Sequence, residues 1–295
     1  MWKRTAIIKF NNFILLLTII LISAQASGQN KEIIGCYRYW DWKQNPEVFN
    51  PVNIPYNKLT MIYYCFFYPL ENGDIAGMDP AADRYLLKGE NDSSFTGRSI
   101  IELAKQHNTK VILSVGGWET SYNFPQVAAD PLKRANFAHW CVKHITQYGF
   151  GGIDIDWEFP GYKPHKGTEH DRENFTKLIQ TVRDSLQAIG NKSGRNYLLT
   201  VSLPAAASHL TDLEVQKISS LVDYMNIMTY DLFGPWGKIS NHNSALYGPA
   251  RGDPARSVDG AFKLYNKEHN VPSEKINMCA AFFGYSYADC SEIYG

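Results

Sequence analysis

Residues 149–161 read GFGGIDIDWEFPG and place Asp154, Asp156 and Glu158 at alternate positions, with Ile153, Ile155 and Trp157 between them. Alternation of this kind reads as a strand, with the three acids on one face and the three apolar side chains on the other. The acids span about 13 Å at roughly 3.3 Å per residue. The segment looks buried on both sides, and a buried carboxylate is costly unless it is paired or protonated. Three in line repel one another, share protons and raise the pKa of the group at the end, Glu158. A carboxylic acid held protonated at a cleft is what cleavage of a glycosidic bond needs. The bland alternative is a strand whose acids face solvent or pair with lysines, and a doubly covered parallel strand argues against it.

The segments around this strand must hold it. Short β-rich runs recur at 32–37, 59–67, 110–115, 152–157, 197–203, 224–230 and 276–283. Their near-continuous apolarity suits parallel strands covered on both faces. Helical patterns lie between them. In 130–149, Asp130 can cap, Pro131 suits the first turn, Phe137, Trp140, Cys141, Ile145 and Tyr148 make the apolar face, and Gly149 ends it. In 171–190 a stripe from Phe175 to Ile189 repeats at three- and four-residue steps, with Gly190 as its stop. Strand then helix, repeated, argues an α/β chain with a parallel sheet. Seven strands in that rhythm, with no G-x-G-x-x-G after the first, favour a TIM-type (β/α) barrel over an open doubly wound sheet.

Zero formal net charge gives no reason to expect nucleic acid or a polyanion, and aromatic residues at 14% suit a neutral, stackable substrate such as sugar. Lys3, Arg4 and Lys9 precede an apolar run at 13–24, and Ala24 and Ala26 frame a small-residue cleavage site. That is the pattern of a secretory signal peptide over 1–26, with an uncleaved anchor as the alternative. The expected domains are therefore 1–26, the signal, and 27–295, one catalytic unit. It would be exported, extracellular or periplasmic, with no stable membrane association after cleavage. Five cysteines (Cys36, Cys65, Cys141, Cys279, Cys290) show no metal-ligand spacing; most read as small buried residues, and one disulfide is left open. No metal or cofactor is expected. The tripeptide at 251–253 reads as chance, and sequons begin at Asn91, Asn174 and Asn191.

GIDIDWEFPG resembles the D-G-x-D-x-D-x-E signature of glycoside hydrolase family 18, the chitinases and their relatives. KVILSVGGW (110–118) resembles that family's S-x-G-G strand, and YMNIMTYDLFGPW (224–236) its M-x-Y-D strand. KEIIGCYRYW and IPYNKLTMIYYCFF resemble its first two strands, so the likeness runs in order from about Lys31 to Tyr287.

The resemblance implies a substrate-assisted, retaining mechanism on N-acetylglucosamine polymers. Glu158 is then the general acid and later the base, Asp156 holds the acetamido N–H, Asp154 shares a proton with Asp156, and Tyr230 bonds the acetamido oxygen. Tyr37, Phe66, Gly117, Trp118, Met228, Asp231 and Trp236 fall on positions that line the cleft, each of the aromatics being equally readable as core. The implied partner is chitin or its oligosaccharides. An endo-β-N-acetylglucosaminidase acting on glycans stays open, as does an inactive, truncated or lectin-like chitin-binding relative, although lectin-like members typically lose the acid that Glu158 provides. Three departures stand out. Gly151 replaces the first motif Asp, taken as the deepest carboxylate; Tyr285 stands where the family has Arg; and the sequence stops after strand seven, so that of the (β/α)8 TIM-type barrel the resemblance implies, seven strands are recognisable and the eighth is missing. An unclosed barrel of this kind is expected to expose strand edges and to associate.

Overall fold

The computed structural model describes residues 31–90, 98–248 and 253–288. The N-terminal apolar run, Cys290, the sequon at Asn91 and most of the 251–253 tripeptide lie outside them. The chain divides into Met1–Ile33 and Ile34–Gly295, and the architecture below is that of the second unit.

Seven parallel strands form one continuous path: β1 (Ile34–Arg38), β2 (Met61–Pro69), β4 (Lys110–Gly116), β5 (Gly152–Asp156), β6 (Leu198–Pro204), β7 (Tyr224–Met228) and β8 (Ile276–Met278). A short strand, β3 (Ile75–Gly77), pairs antiparallel with β2 at the side of this path. Helices alternate with the strands. Among the described residues β1 and β8 end the path without pairing to each other.

Parity along the strands sorts the core into two layers. Ile62, Tyr64, Leu113, Val115, Ile153, Ile155, Leu199 and Val201 point outward and merge with the helices into one apolar cluster. Met61, Tyr63, Cys65 and Ile112 point inward as a second, smaller cluster. Trp157 continues the outward set: it stacks on Phe124 at 5.3 Å and meets the edge of Phe175 at 5.4 Å. Losing a buried ring such as Phe175 costs about 3–5 kcal/mol, so this side anchors the acidic strand.

The helix Pro131–Tyr148 begins where Asp130 accepts from the amides of Leu132 at 2.7 Å and Lys133 at 3.2 Å, and Gly149 ends it at φ 89°. The helix Asp171–Ser193 runs past Gly190 and stops at Gly194, φ 67°. Glycine lowers helix propensity by about 1 kcal/mol without forbidding the helix, whereas the left-handed turn that ends it falls four residues later. The run at 276–283 is strand only over its first three residues, and Phe282 beyond it is fully exposed. Of the cysteines, Cys65 and Cys141 are buried as expected; Cys36 is exposed and Cys279 half-buried, and all four described thiols are free.

Candidate active site

Strand β5 carries Asp154 and Asp156 inward at the centre of the path, between β4 and β6. Asp154 is 0% exposed and surrounded by neutral donors. Ser114 Oγ donates to it at 2.8 Å, Thr200 Oγ1 at 2.7 Å, Asn226 Nδ2 at 3.1 Å and Ser202 Oγ at 3.2 Å. Burial raises its pKa and these hydrogen bonds work against the rise. The donors belong to a wider inner layer, because Asn226 also donates to Tyr63 Oη at 3.0 Å and accepts from Asn277 Nδ2 at 3.0 Å.

Asp156, one step along, lacks such a cage. Its Oδ1 is buried without a hydrogen-bond partner. Burial, followed by the charges of Glu158 and Asp154, holds its pKa well above the usual carboxylate range. Glu158 lies just past the strand end and is half-buried. Burial first, then the charge of Asp231, lifts it from 4.5 to about 7, and the Trp118 amide donates to the carboxyl in the opposite sense. A carboxyl near 7 is both a competent acid and, once ionised, a competent base at neutral pH.

The glycine pair after β4 explains how the acids are set in place. A side chain on Gly116, at φ 125°, would begin 2.0 Å from the Asp156 carbonyl oxygen, and one on Gly117 would begin 2.8 Å from the Phe66 ring. Without side chains, the Gly117 amide reaches the Asp156 carbonyl at 2.8 Å. The same turn carries Ser121, whose Oγ accepts from the Glu158 amide at 2.9 Å.

The other rim residues come from β7 and beyond. Met228 is buried at the strand end. Tyr230 is half-buried; desolvation, and next the Asp156 charge with a smaller share from Glu158, pushes its phenol far up. It therefore stays a neutral hydroxyl beside the acids. Asp231 is exposed at φ 55°, and Tyr285 Oη donates to it at 2.7 Å. Trp118 is 45% exposed and Trp236 61%, the latter set edge-on to Tyr285 at 5.6 Å. Phe66 stacks with Trp40 at 5.9 Å beside Gly117.

Two expectations change. Tyr37 does not join this group: its ring stacks on Tyr64 at 6.3 Å within the helix-facing cluster, and its hydroxyl donates to the Phe49 carbonyl. Its neighbour Cys36 has the inward parity. Gly151 is not the site of a missing inner carboxylate, because it shares the parity of Ile153 and Ile155, and a side chain there would meet the Lys110 stem at 3.5 Å.

Sequence reasoning missed Ser114, Thr200, Ser202 and Asn226, although polar residues on alternate positions of otherwise apolar strands are a legible sign of a polar interior. It also missed His165, which only tertiary contacts bring to the site, and it read Tyr285 as a lost Arg contact and not as a donor to Asp231.

The family model of the glycosyl hydrolases family 18 matches residues 32–292. Chitinase A1 of Niallia circulans is 36% identical over 198 residues, 63% of this chain and 28% of its own length. Endochitinase 1 of Metarhizium robertsii is 31% identical over 265 residues, 84% of this chain and 60% of its own. Among solved structures, a chitinase of Bacillus thuringiensis superposes with a TM-score of 0.75 at 29% identity, covering 85% of this chain and 48% of that one. This chain thus spans between 28% and 60% of the lengths of these relatives. Among the described residues no helix is long and apolar enough to cross a membrane.

Proposed function

The chain belongs to glycosyl hydrolases family 18, and from that premise we propose that it is an exported chitinase, cutting β-1,4 bonds between N-acetylglucosamine units with retention of configuration. The observation that carries the reading is the contrast along one strand: Glu158 titrates near 7 beside an Asp156 whose buried Oδ1 lacks a donor. In the proposed reaction Glu158 gives its proton to the glycosidic oxygen as the bond to the anomeric carbon breaks. The acetamido carbonyl oxygen of the same sugar forms the new bond to that carbon, giving a cyclic oxazolinium ion. The Asp156 carboxyl accepts the acetamido N–H and balances the positive charge, while Asp154 shares the Asp156 proton on the buried side. Tyr230 donates to the acetamido oxygen. Water then attacks the anomeric carbon, the acetamido group is released, and the Glu158 carboxylate takes the water proton.

Trp118 and Trp236 offer exposed ring faces for sugar stacking, with Phe66, Met228, Asp231 and the Gly117 turn completing the cleft. Residues 1–26 are proposed as the export signal on the sequence pattern described above, leaving 27–295 as the catalytic unit.

The test follows from a nucleophile that belongs to the substrate. The protein is expected to release reducing ends from N-acetylated chitin oligomers, to leave fully deacetylated chitosan oligomers intact, and to be inhibited by a thiazoline analogue of the oxazolinium ion. Comparable turnover of both polymers would point to a nucleophile on the enzyme and overturn the mechanism.

A further inference from the structure

Both main-chain polar groups of Glu158 are held by side chains from other segments. Ser121 accepts from its amide at 2.9 Å, and His165 Nδ1 donates to its carbonyl at 2.5 Å. Ser121 is itself anchored, its hydroxyl donating to the Gly117 carbonyl at 2.9 Å. The histidine comes from the loop after β5, in the turn Lys163–His165, and is 2% exposed.

The ring of His165 has a second set of neighbours. Its centroid lies 4.5 Å from that of Trp118, 4.4 Å from Tyr122 and 5.1 Å from Tyr162. Trp118 and Tyr122 are both substantially exposed, so a buried ring supports two exposed ones. Trp118 also gives its amide to the Glu158 carboxyl. One side chain thus touches the backbone of the acid and the back of the aromatic wall next to it.

The loop that presents His165 is fixed independently. Buried Asp171 accepts from the amides of Gly161 at 3.0 Å and Thr168 at 2.9 Å, and from the Thr168 hydroxyl at 2.6 Å. The imidazole is therefore held from both ends of its loop, and its hydrogen bond to Glu158 is directional.

From these contacts we infer that His165 is a positioning residue with two separable tasks: its Nδ1–H fixes the main chain of the general acid, and its ring fixes the sugar-stacking surface of Trp118. The inference rests on the hydrolysis proposed above. The two tasks act on different kinetic constants. A displaced acid meets the leaving oxygen badly, which lowers kcat, since small misplacements of a reacting group are costly in rate. A loosened Trp118 weakens substrate stacking in ground and transition states alike, which raises KM.

Two substitutions separate them. His165→Phe keeps a ring against Trp118 and removes the donor; kcat on chitin oligomers is expected to fall about tenfold with KM within about twofold. His165→Asn keeps an amide donor near the Nδ1 position and removes the ring; KM is expected to rise about fivefold with kcat within about threefold. Thermal unfolding and calorimetric binding of chitin oligomers accompany the kinetics. Opposite splits in two folded variants support the inference. Parent-like kinetics in both, equal changes of kcat and KM in both, or failure of both to fold would overturn it, the last by making His165 structural only. A parent that cuts chitin oligomers while the variants show no split overturns this inference alone; a parent that neither cuts nor binds them overturns the proposed function and this inference with it.

Discussion

Replacing Glu158 with Gln is expected to destroy activity and stabilise the fold, and the structure sets the size and the pH range of the gain. Glu158 sits at about 7 against an ordinary 4.5, raised by burial first and then by Asp231. The folded chain therefore holds this proton more tightly than the unfolded chain does. Stability from that proton is fully present below the unfolded value of 4.5 and is lost as pH rises through about 7. The full loss corresponds to roughly 3.5 kcal/mol at about 1.4 kcal/mol per pKa unit, and to roughly 2–3 kcal/mol once the partial exposure of the carboxyl is allowed for. Gln imitates the protonated acid at every pH. The variant should gain about 2–3 kcal/mol over the parent at pH 8 and under about 1 kcal/mol at pH 5. Urea unfolding of both proteins at the two pH values measures this. The same variant should lose about 100- to 10,000-fold in kcat while still binding chitin oligomers. A stability gain that is equal at both pH values, or absent at pH 8, would refute the placement of Glu158 as a buried, easily protonated acid.

Asp231→Asn removes a negative charge that raises Glu158, so the alkaline limb of kcat should move to lower pH, by up to about one unit through partly wetted protein. A limb that stays or moves upward would remove Asp231 from the electrostatics of the acid. Gly116→Ala would press a methyl carbon to 2.0 Å from the Asp156 carbonyl oxygen at φ 125° and should cost about 3 kcal/mol or more in urea unfolding, along with activity. Gly194→Ala, at φ 67° with nothing within 4 Å, carries only the left-handed backbone penalty of about 1–2 kcal/mol, and equal losses in the two variants would refute the close-approach argument.

The acidic strand was readable because its information is local: a strand alternates, and Asp154, Asp156 and Glu158 alternate with residues that only a core accepts. The helix Pro131–Tyr148 was readable for the same reason, with Asp130 and Gly149 supplying its ends in sequence. Gly190 misled because composition cannot tell a glycine tolerated inside a helix from one that adopts the left-handed turn. Tyr37 misled because motif position was followed where strand parity pointed outward. The three-residue β3 is too short to leave a pattern. His165 had no local signal, since it acts through contacts with Glu158, Trp118 and Tyr122 that only the fold assembles, and Tyr285 was legible as a departure from the family motif but not as the partner of Asp231.

Three carboxyls of nearly the same intrinsic strength become three different groups through a gradient of hydrogen bonding along one strand. At the deep end Asp154 meets four neutral donors, which can stabilise a charge without supplying a counter-charge. Asp156 is buried too but has an oxygen without a donor, so its charged form is disfavoured. Glu158 has its main chain clamped by Ser121 and His165, while its carboxyl reaches the rim and feels Asp231. A cationic side chain near Asp154 would neutralise the deep carboxylate and weaken its push on Asp156, and a donor on Asp156 would lower that group into the ordinary range. Either change would level the gradient. The inner faces of β4, β6 and β7 are therefore as much a part of the acid–base chemistry as the strand that bears the acids: Ser114, Thr200, Ser202 and Asn226 hold Asp154 with dipoles alone, and bring no cation to cancel the charge that raises Asp156 beside it.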